Sequence, residues 1–438
     1  MTLCKGTVAP ILHSGATCAA MLGCLFALTQ CKGEFTGPYP CEAGYDSCIN
    51  PDKNQCETDT SNDAAYCGTC NNQCPIGDTC VNGECSRKPA AKLTILPDSV
   101  ALQSPLAAVA GSNVFWSVNN ANSIYRVSNN GGTVNTIAQN VQPCGSTVGF
   151  AVDAQSVYYW SNNASVPCPN GSGGTCNASG VVKTAPDGTT SLIWTQPSQS
   201  NGQCPFAFTV ANSSVYWLSN QNSGGMDLYS ALLSGTSTKT DPIATVDKAN
   251  WNGGFWVDDQ RAAFVASNNS PSMLYQVSLS NGKQTTVSTT LGNQNFGANS
   301  FAADKDYAYV ASGGCNCNND SKVDTLPSGR IARFAWDGSS SLLLAEFSGA
   351  IASMAVDGDS VYWATDTTLW KVPKAGGSAV RLAGNLIWRN QTNGATPYLC
   401  SNGCGMQMPN YVAIAVDATS VYIVDTSYNA KVVLKVSK

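Results

Sequence analysis

The stretch "IAVDATSVYIVDT" (residues 414–426) decides the fold, because the sequence repeats it. Near-copies are "FAVDAQSVYYW" (residues 150–160) and "MAVDGDSVYWAT" (residues 354–365). Each copy has an apolar segment, a polar four-residue turn and an aromatic or aliphatic pair, which is typical of two antiparallel β-strands. Seven copies, aligned on the apolar residue before the turn, begin at Val109, Val152, Val210, Val257, Ala303, Val356 and Val416.

The copies recur every 43–60 residues, which is the length of a four-stranded propeller blade with variable loops. In six repeats a second marker follows, a strand, a tight turn and a strand, as in "VVKTAPDGTTSLIW" (residues 181–194). Four of its turns carry dipeptides that accept positive φ: Asn130-Gly131, Asp187-Gly188, Asn281-Gly282 and Asp337-Gly338. We therefore predict an all-β protein with a seven-bladed β-propeller over residues 93–438, with six or eight blades as alternatives.

The seventh repeat has only "KVVLKVSK" (residues 431–438) after its copy of the phrase. The segment "AAKLTILPDSV" (residues 90–100) precedes the first repeat and reads as an outer strand without inner partners. Pairing these two segments would hide both sheet edges and close the ring. We predict that this N-terminal strand completes the last blade.

The combination of "AVD" and "VYW" resembles propellers of the YWTD type. The turn "KVPKAGG" (residues 371–377) is similar to propellers of myxobacterial surface lipoproteins. This resemblance implies the fold and does not indicate a ligand.

The N-terminus reads as an export signal. Lys5 precedes the apolar stretch "ATCAAMLGCLFAL" (residues 16–28), whose 13 residues are too few for a membrane span. We predict a signal peptide over residues 1–30. The sequence "LTQC" resembles a bacterial lipobox, which implies lipidation of Cys31 and a tether over residues 31–40. Gln30 departs from the small residue of that motif, so an ordinary secretion signal is the alternative.

The cysteine count supports an oxidising compartment. Sixteen of the 20 cysteines follow Cys31 in two even groups, which leaves Cys31 without a partner. We predict that the sixteen form disulfides: Cys41, Cys48, Cys56, Cys67, Cys70, Cys74, Cys80, Cys85, Cys144, Cys168, Cys176, Cys204, Cys315, Cys317, Cys400 and Cys404.

Residues 41–85 have almost no hydrophobic periodicity, so cross-links must hold them. Four disulfides are favoured over zinc, although Cys67-x2-Cys70 has zinc-ligand spacing. The part "CGTCNNQCPIGDTCVNGEC" (residues 67–85) resembles plant stigma-specific proteins, and the whole run resembles cysteine-rich segments of myxobacterial surface proteins. The resemblance implies an extracellular spacer or interaction module, with residues 86–92 as a linker.

Several classes of chemistry are disfavoured. The only histidine, His13, lies in the predicted signal peptide, which excludes Ser-His-Asp and Cys-His catalysis in the exported chain. The formal charge of −5 without a basic run argues against nucleic-acid binding. Five aspartates recur at one repeat position, so turn chemistry is favoured over catalysis: Asp153, Asp258, Asp304, Asp357 and Asp417. We predict no cofactor and no catalytic residue.

Calcium is a weak alternative. In "CNCNNDSKVD" (residues 315–324), oxygen-bearing side chains alternate at Asn316, Asn318 and Asp320, but no later Glu completes a loop site. Asp52, Asn54 and Asp59 are similarly incomplete. A solvated polar loop is favoured in both places.

Long insertions fall on one predicted face of the propeller, at residues 161–180, 248–254, 312–329 and 388–410, together with its eight cysteines. Trp251, Trp388 and Tyr398, with Arg389, stand there among Asn and Gly, a composition that suits a glycan or a peptide. The same aromatic residues are equally suited to capping the ends of blades.

We predict a monomeric, cell-surface or outer-membrane binding lipoprotein that meets the membrane only through a lipid anchor. Its partner is a glycan or an extracellular protein. A carboxylate-dependent polysaccharide hydrolase or lyase, and a purely structural surface component, are the alternatives.

Overall fold

The computed structural model describes residues 45–46, 58–63, 65–70, 74, 79–81, 83–86, 91–96, 106–118, 122–139, 141, 149–167, 175–195, 205–220, 225–234, 241–246, 250–267, 272–287, 289–291, 294–295, 300–313, 329–347, 351–365, 368–383, 412–426 and 432–438. These residues form β-strands and turns. None of them forms a helix of the length and hydropathy that a membrane span requires.

The cysteine-rich segment contains two short antiparallel pairs, and a fifth strand follows it. The disulfides Cys67–Cys80 and Cys74–Cys85 cross-link the described part of this segment. Gly68 and Gly83 pack against each other, and a Cβ on Gly68 would lie 2.4 Å from the carbonyl oxygen of Gly83. The five strands are β1 (Tyr45–Asp46), β2 (Thr58–Asp59), β3 (Thr79–Val81), β4 (Glu84–Ser86) and β5 (Ala91–Ile95).

Seven four-stranded antiparallel sheets follow, which confirms the seven-bladed propeller. Blade 1 contains β6 (Leu106–Ala110), β7 (Asn113–Val118), β8 (Ser123–Ser128) and β9 (Asn135–Ala138). Blade 2 contains β10 (Phe150–Val152), β11 (Val157–Pro167), β12 (Thr175–Thr184) and β13 (Thr190–Thr195). Blade 3 contains β14 (Pro205–Ala211), β15 (Ser214–Asn220), β16 (Met226–Leu232) and β17 (Ala244–Val246).

Blade 4 contains β18 (Asn250–Val257), β19 (Arg261–Ser267), β20 (Ser272–Ser278) and β21 (Gln284–Val287), and a small hairpin of β22 (Thr290–Leu291) and β23 (Gln294–Asn295) follows it. Blade 5 contains β24 (Ser300–Ala303), β25 (Tyr307–Gly313), β26 (Gly329–Ala335) and β27 (Ser341–Phe347). Blade 6 contains β28 (Ile351–Val356), β29 (Ser360–Thr365), β30 (Leu369–Pro373) and β31 (Val380–Ala383). Blade 7 contains β32 (Val412–Val416), β33 (Ser420–Asp425) and β34 (Val432–Ser437).

The seventh blade takes its fourth strand from the N-terminal side of the ring, as predicted. Strand β5 pairs with β34, with Thr94 opposite Val433 and Ile95 opposite Val432. Each inner strand contacts the inner strands of both neighbouring blades, and β6 of blade 1 contacts β32 of blade 7. The ring is therefore closed. Its last sheet joins residues that are more than 300 positions apart in the chain.

The hydrophobic core lies between the blades. Alternate side chains of a strand point to opposite faces of its sheet, and in a propeller both faces meet a neighbouring blade. In β19, Phe264 packs in the cluster between blades 3 and 4, whereas Ala263 and Val265 pack in the cluster between blades 4 and 5. This explains why the second strands read as almost continuous apolar runs.

The turns between first and second strands differ from the prediction in two blades. Blades 1 and 3 have two-residue hairpin turns, because Ala110 pairs with Asn113 and Ala211 pairs with Ser214. Gly111 in blade 1 and Asn212 in blade 3 adopt positive φ, of 55° and 50°. Such turns match the twist of a tight hairpin. The four-residue turn predicted for every repeat is therefore wrong for these two blades.

The closing strand should contribute strongly to stability through one side chain. Leu93 is 7% exposed and packs in the cluster that contains Trp116 of blade 1 and Tyr422 of blade 7. We expect Leu93→Ala to lower the free energy of unfolding by about 2–5 kcal/mol. Urea unfolding monitored by tryptophan fluorescence would measure it.

Ile95 supplies the matched control, because it lies in the same strand and is 61% exposed. Ile95→Ala should change the unfolding free energy by no more than about 0.5 kcal/mol. Equal effects of the two substitutions would contradict the view that β5 is an integral strand of the ring.

Candidate functional site

The strand directions define two faces of the ring. On the turn face, first strands turn into second strands and third strands turn into fourth strands. On the loop face lie the connections between second and third strands and between blades. Turn-face connections are short in most blades, as between Val152 and Val157 in blade 2. The longest connection within a blade, at residues 314–328, belongs to the loop face, whereas residues 233–243 of blade 3 form a longer turn-face connection than the other blades have.

The seven inner strands carry no charged side chain. They read LAAVA, FAV, PFAFTVA, NWNGGFWV, SFAA, IASMAV and VAIAV, without Asp, Glu, Lys, Arg or His. Many of these residues are only partly buried, as Phe208, Thr209 and Val210 are in blade 3. The described wall around the ring axis is therefore mostly apolar, with a few hydroxyl groups.

The recurring aspartates lie directly after inner strands, at the turn face, and each one builds its turn. In blade 6, Oδ1 of Asp357 accepts the backbone N–H groups of Asp359 and Ser360, both at 2.8 Å. Its Oδ2 accepts the hydroxyl of Tyr362 at 2.9 Å. The same tyrosine contact recurs at 2.7, 2.8 and 2.6 Å in Asp153–Tyr158, Asp304–Tyr309 and Asp417–Tyr422.

Hydrogen bonding favours the ionised form of three of these carboxylates, those of Asp304, Asp357 and Asp417. Burial opposes ionisation of Asp357, but hydrogen bonds from Lys438, from two backbone amides and from Tyr362 lower its pKa to about 2. The pKa values of Asp304 and Asp417 are also lowered by hydrogen bonds, against the effect of burial. A general acid needs the opposite shift. These aspartates are therefore structural.

The pKa values of the tyrosines that bind these aspartates shift in the opposite direction. Burial, followed by the hydrogen bond to a carboxylate, raises the pKa of Tyr422 to about 12. The same two causes raise the pKa values of Tyr158, Tyr309 and Tyr362 above the ordinary value. Each phenol stays protonated and donates to its aspartate, so the pair fixes the second strand against the turn.

Two lysines connect such pairs across neighbouring blades. Nζ of Lys374, in blade 6, lies 2.6 Å from Oδ2 of Asp304 in blade 5. Nζ of Lys438, after the last strand of blade 7, contacts Oδ2 of Asp357 in blade 6. Each ammonium group also lies over the ring of the paired tyrosine, at 5.8 Å and 5.2 Å from its centroid. The lysines are less than 20% exposed, so these contacts clamp blades 5, 6 and 7 together.

Blade 4 keeps the aspartate and replaces the tyrosine. Asp258 accepts the backbone N–H of Arg261 at 2.7 Å, and the Arg261 guanidinium lies 3.6 Å from its other oxygen. Ala263 occupies the tyrosine position. Blades 1 and 3 have Ala110 and Ala211 at the aspartate position and use the tight hairpins described above.

In blade 2, the second and third strands extend further toward the loop face than the fourth strand does. Strand β13 ends where Thr195 pairs with Gly180. Strands β11 and β12 continue as a two-stranded ribbon to the pair Pro167–Thr175, with a register shift between Ser161 and Ala164. Part of the insertion expected at residues 161–180 is therefore regular strand.

The predicted ligand-binding residues are placed only in part. Trp251 lies in β18, the inner strand of blade 4, near its loop-face end. The prediction of a loop insertion at residues 248–254 is wrong for residues 250–254, which are part of a strand with two register shifts. Gly254, at φ 72°, accommodates the irregular backbone. Trp388, Arg389 and Tyr398 lie outside the described residues, so their proximity to Trp251 stays a prediction.

The cysteine predictions are also placed in part. The two observed disulfides are incompatible with a zinc site at Cys67, although the sulfurs of Cys67, Cys74 and Cys85 lie within 4.8 Å of one another. Cys70 is also disulfide-bonded. Cys176 lies in strand β12. Outside the described residues lie Cys31, Cys41, Cys48, Cys56, Cys144, Cys168, Cys204, Cys315, Cys317, Cys400 and Cys404.

Of the weak calcium candidates, Asp59 is described and builds a turn. Its Oδ1 accepts the backbone N–H groups of Ser61 and Asn62, at 3.0 and 3.2 Å, and its Oδ2 accepts the Asn62 side-chain amide. Asp52, Asn54, Asn316, Asn318 and Asp320 lie outside the described residues.

Three structurally important basic residues are not apparent from the repeat pattern: Lys374, Lys438 and Arg381. The two lysines do share a signal, because "KVPK" and "KVSK" end the third strands of blades 6 and 7. Arg381 has no such repeat. Its role depends on a contact with the cysteine-rich segment.

No protein-family model matches the sequence, and no curated protein is significantly similar to it. Among solved structures, YCF48 bound to D1 peptide is similar to 81% of this chain over 96% of its own, at 11% identity and a TM-score of 0.50. Virginiamycin B lyase from Staphylococcus aureus is similar over 79% of this chain and 98% of its own, at 10% identity and a TM-score of 0.44. A gluconolactonase from Xanthomonas campestris is similar over 83% of this chain and 95% of its own, at 13% identity and a TM-score of 0.36. The similarity to YCF48 shows the propeller fold alone.

The aspartate turn predicts a specific acid dependence. The folded pKa of Asp357, about 2, lies below the unfolded value of about 3.9. Its contribution to stability is therefore fully present above the unfolded pKa and is lost as pH falls from about 4 to about 2. We expect Asp357→Asn to flatten the fall of the unfolding free energy in this window, measured by urea unfolding at each pH.

Asp359 is the matched control, because it is exposed and lies in the same turn. Asp359→Asn should retain the acid dependence of the wild type. Parallel curves for wild type and Asp357→Asn would show that the carboxylate of Asp357 does not carry the effect.

Proposed function

We propose that this protein is an exported, lipid-anchored binding protein of the cell surface that uses its loop face to engage a glycan or an extracellular protein. The observation that carries the proposal is the separation of charge. The recurrent aspartates and their lysine partners lie on the turn face and bind one another, whereas the inner strands are uncharged. An uncharged wall with hydroxyl and aromatic groups suits neutral sugar rings or peptide segments.

The proposed ligand-contacting residues are Trp251, Trp388, Arg389 and Tyr398. Trp251 belongs to the inner strand of blade 4, so it is attached to a rigid element at the loop-face end of the ring wall. Loops supported by a rigid scaffold are common locations for binding residues. The fold accommodates either partner class, and YCF48, a propeller of similar fold, is bound to a peptide in its solved structure.

A carboxylate-dependent hydrolase or lyase is the second candidate. Such an enzyme needs two carboxyl groups about 5–10 Å apart beside the substrate, one of them with a raised pKa. The inner strands supply no carboxylate, and the turn-face aspartates are occupied by amides, tyrosines and lysines. This favours binding over hydrolysis.

An array of neutral oligosaccharides, together with a pull-down from the native cell envelope, would test the binding function. We expect Trp251→Ala and Trp388→Ala each to weaken the interaction found for the wild type at least about tenfold, because buried aromatic contacts dominate binding energies. Titration of the selected oligosaccharide or protein would measure the change.

Lys305→Ala is the control, because this side chain is 81% exposed on the turn face. It should bind as the wild type does. Unchanged binding by both tryptophan variants would exclude the proposed contact residues, and hydrolysis of the array sugars by the wild type would favour the enzyme.

The proposed lipid anchor has a separate test. Radiolabelled palmitate should enter the wild type and should not enter Cys31→Ser, because the acyl chains of a lipoprotein depend on this cysteine. Cys70→Ser, which removes a disulfide-bonded cysteine, should still be labelled. Label in Cys31→Ser, or none in the wild type, would contradict the anchor.

A further inference from the structure

The cysteine-rich segment contacts the propeller at the outer strand of blade 6. Strand β3 of that segment lies against β31. Arg381 of β31 donates from Nη2 to the carbonyl oxygen of Cys80 at 2.9 Å, and it also donates to the carbonyl oxygen of Asn62. One arginine therefore contacts two backbone positions of the cysteine-rich segment.

The surroundings of Arg381 are those of a specific contact. Its guanidinium is half-buried, and burial is the main cause that lowers its pKa, while the negative charges of Asp63 and Asp59 oppose that shift. A half-buried guanidinium needs acceptors for its fixed fork of donors. The described acceptors all come from the cysteine-rich segment.

The two carbonyl groups are held in place by the internal cross-links of the segment. Cys80 is disulfide-bonded to Cys67 and is 1% exposed. Backbone hydrogen bonds from Gly68 to Thr60 and from Gly83 to Ser61 fix the chain that leads to Asn62. The acceptor pair therefore exists as a rigid unit only when the segment is correctly cross-linked.

The segment is also joined to the next blade. After β4 the chain enters β5, which is the outer strand of blade 7. The cysteine-rich segment is thus covalently continuous with blade 7 and hydrogen-bonded to blade 6. Lys438 connects the same two blades on the turn face.

We propose that the cysteine-rich segment is a staple that holds blades 6 and 7 together, with Arg381 as its contact on the ring. The segment is in this respect part of the propeller and not a free spacer. Its disulfides stabilise the ring indirectly, because they hold the carbonyl groups of Asn62 and Cys80 in the positions where Arg381 binds them.

A double-mutant cycle tests this coupling, because contacting groups give non-additive effects. All ten tryptophans lie beyond residue 115, so their fluorescence reports the propeller alone. We expect Arg381→Ala, and separately Cys67→Ser with Cys80→Ser, to lower the tryptophan-detected Tm by about 2–4 °C. The combined variant should fall no further than the larger single effect.

Arg330→Ala is the matched control, because the Arg330 side chain is 38% exposed and pairs with Glu346 of its own blade. Its effect should add to that of the cysteine substitutions. Additive effects of Arg381→Ala and the cysteine substitutions, or an unchanged Tm in Arg381→Ala, would overturn the proposal.

If the cysteine variant does not fold, hydrogen exchange of residues 58–63 provides a second measurement. Exchange in this peptide should accelerate in Arg381→Ala, should be intermediate in Arg381→Lys and should stay unchanged in Arg330→Ala. Equal exchange in wild type and Arg381→Ala would also overturn the staple.

Discussion

The structure depends on the antiparallel pairing of β5 with β34. Seven sheets can surround an axis only if the first and last of them meet, and an open ring would leave two sheet faces and two inner edges exposed. Sharing one sheet between distant segments removes that defect with backbone hydrogen bonds. Leu93 adds an apolar contact between blades 7 and 1, so the closing strand is also part of the core.

The aspartate turns show how local chemistry supports this closed arrangement. Each carboxylate organises its turn through two backbone amides, and four of the five also hold a tyrosine of the following strand. Lys374 and Lys438 then extend two of these units to the adjacent blade. The charges of the recurring aspartates and of these two lysines are in this way paired within the scaffold. The loop face is left to differ from blade to blade, which is where recognition is expected in a repeat fold.

The fold could be predicted from the sequence because its signal is repeated. The phrase around Asp417 by itself predicts only a pair of strands. Its six further copies in the sequence predict a propeller and the number of its blades. The missing outer strand was inferable because blade 7 has too few strands of its own. The aspartates were correctly assigned to turns, because one residue type at one repeat position has a shared structural cause.

The remaining features escape sequence reasoning for physical reasons. Blades 1 and 3 use tight hairpins, since positive φ at Gly111 and Asn212 depends on register and not on the repeat phrase. Residues 250–254 were expected as loop because Asn and Gly are typical of turns, yet pairing with β19 keeps them in strand. The contacts of Lys374 and Arg381 arise between distant segments, and a pattern within one repeat carries no information on them. The candidate site stays a prediction at the level of one face, because three of its four residues lie outside the described residues.

The closing strand has a consequence for biogenesis. Strand β5 is synthesised before every blade, whereas β34 is synthesised after all seven inner strands. The early strand must remain unpaired until the late one has been synthesised, and the intervening sheets must not pair with it in the wrong register. Such a topology has a high contact order and folds slowly. The cysteine-rich segment, whose described disulfides span only 13 and 11 residues, can by contrast reach a stable form before the ring closes.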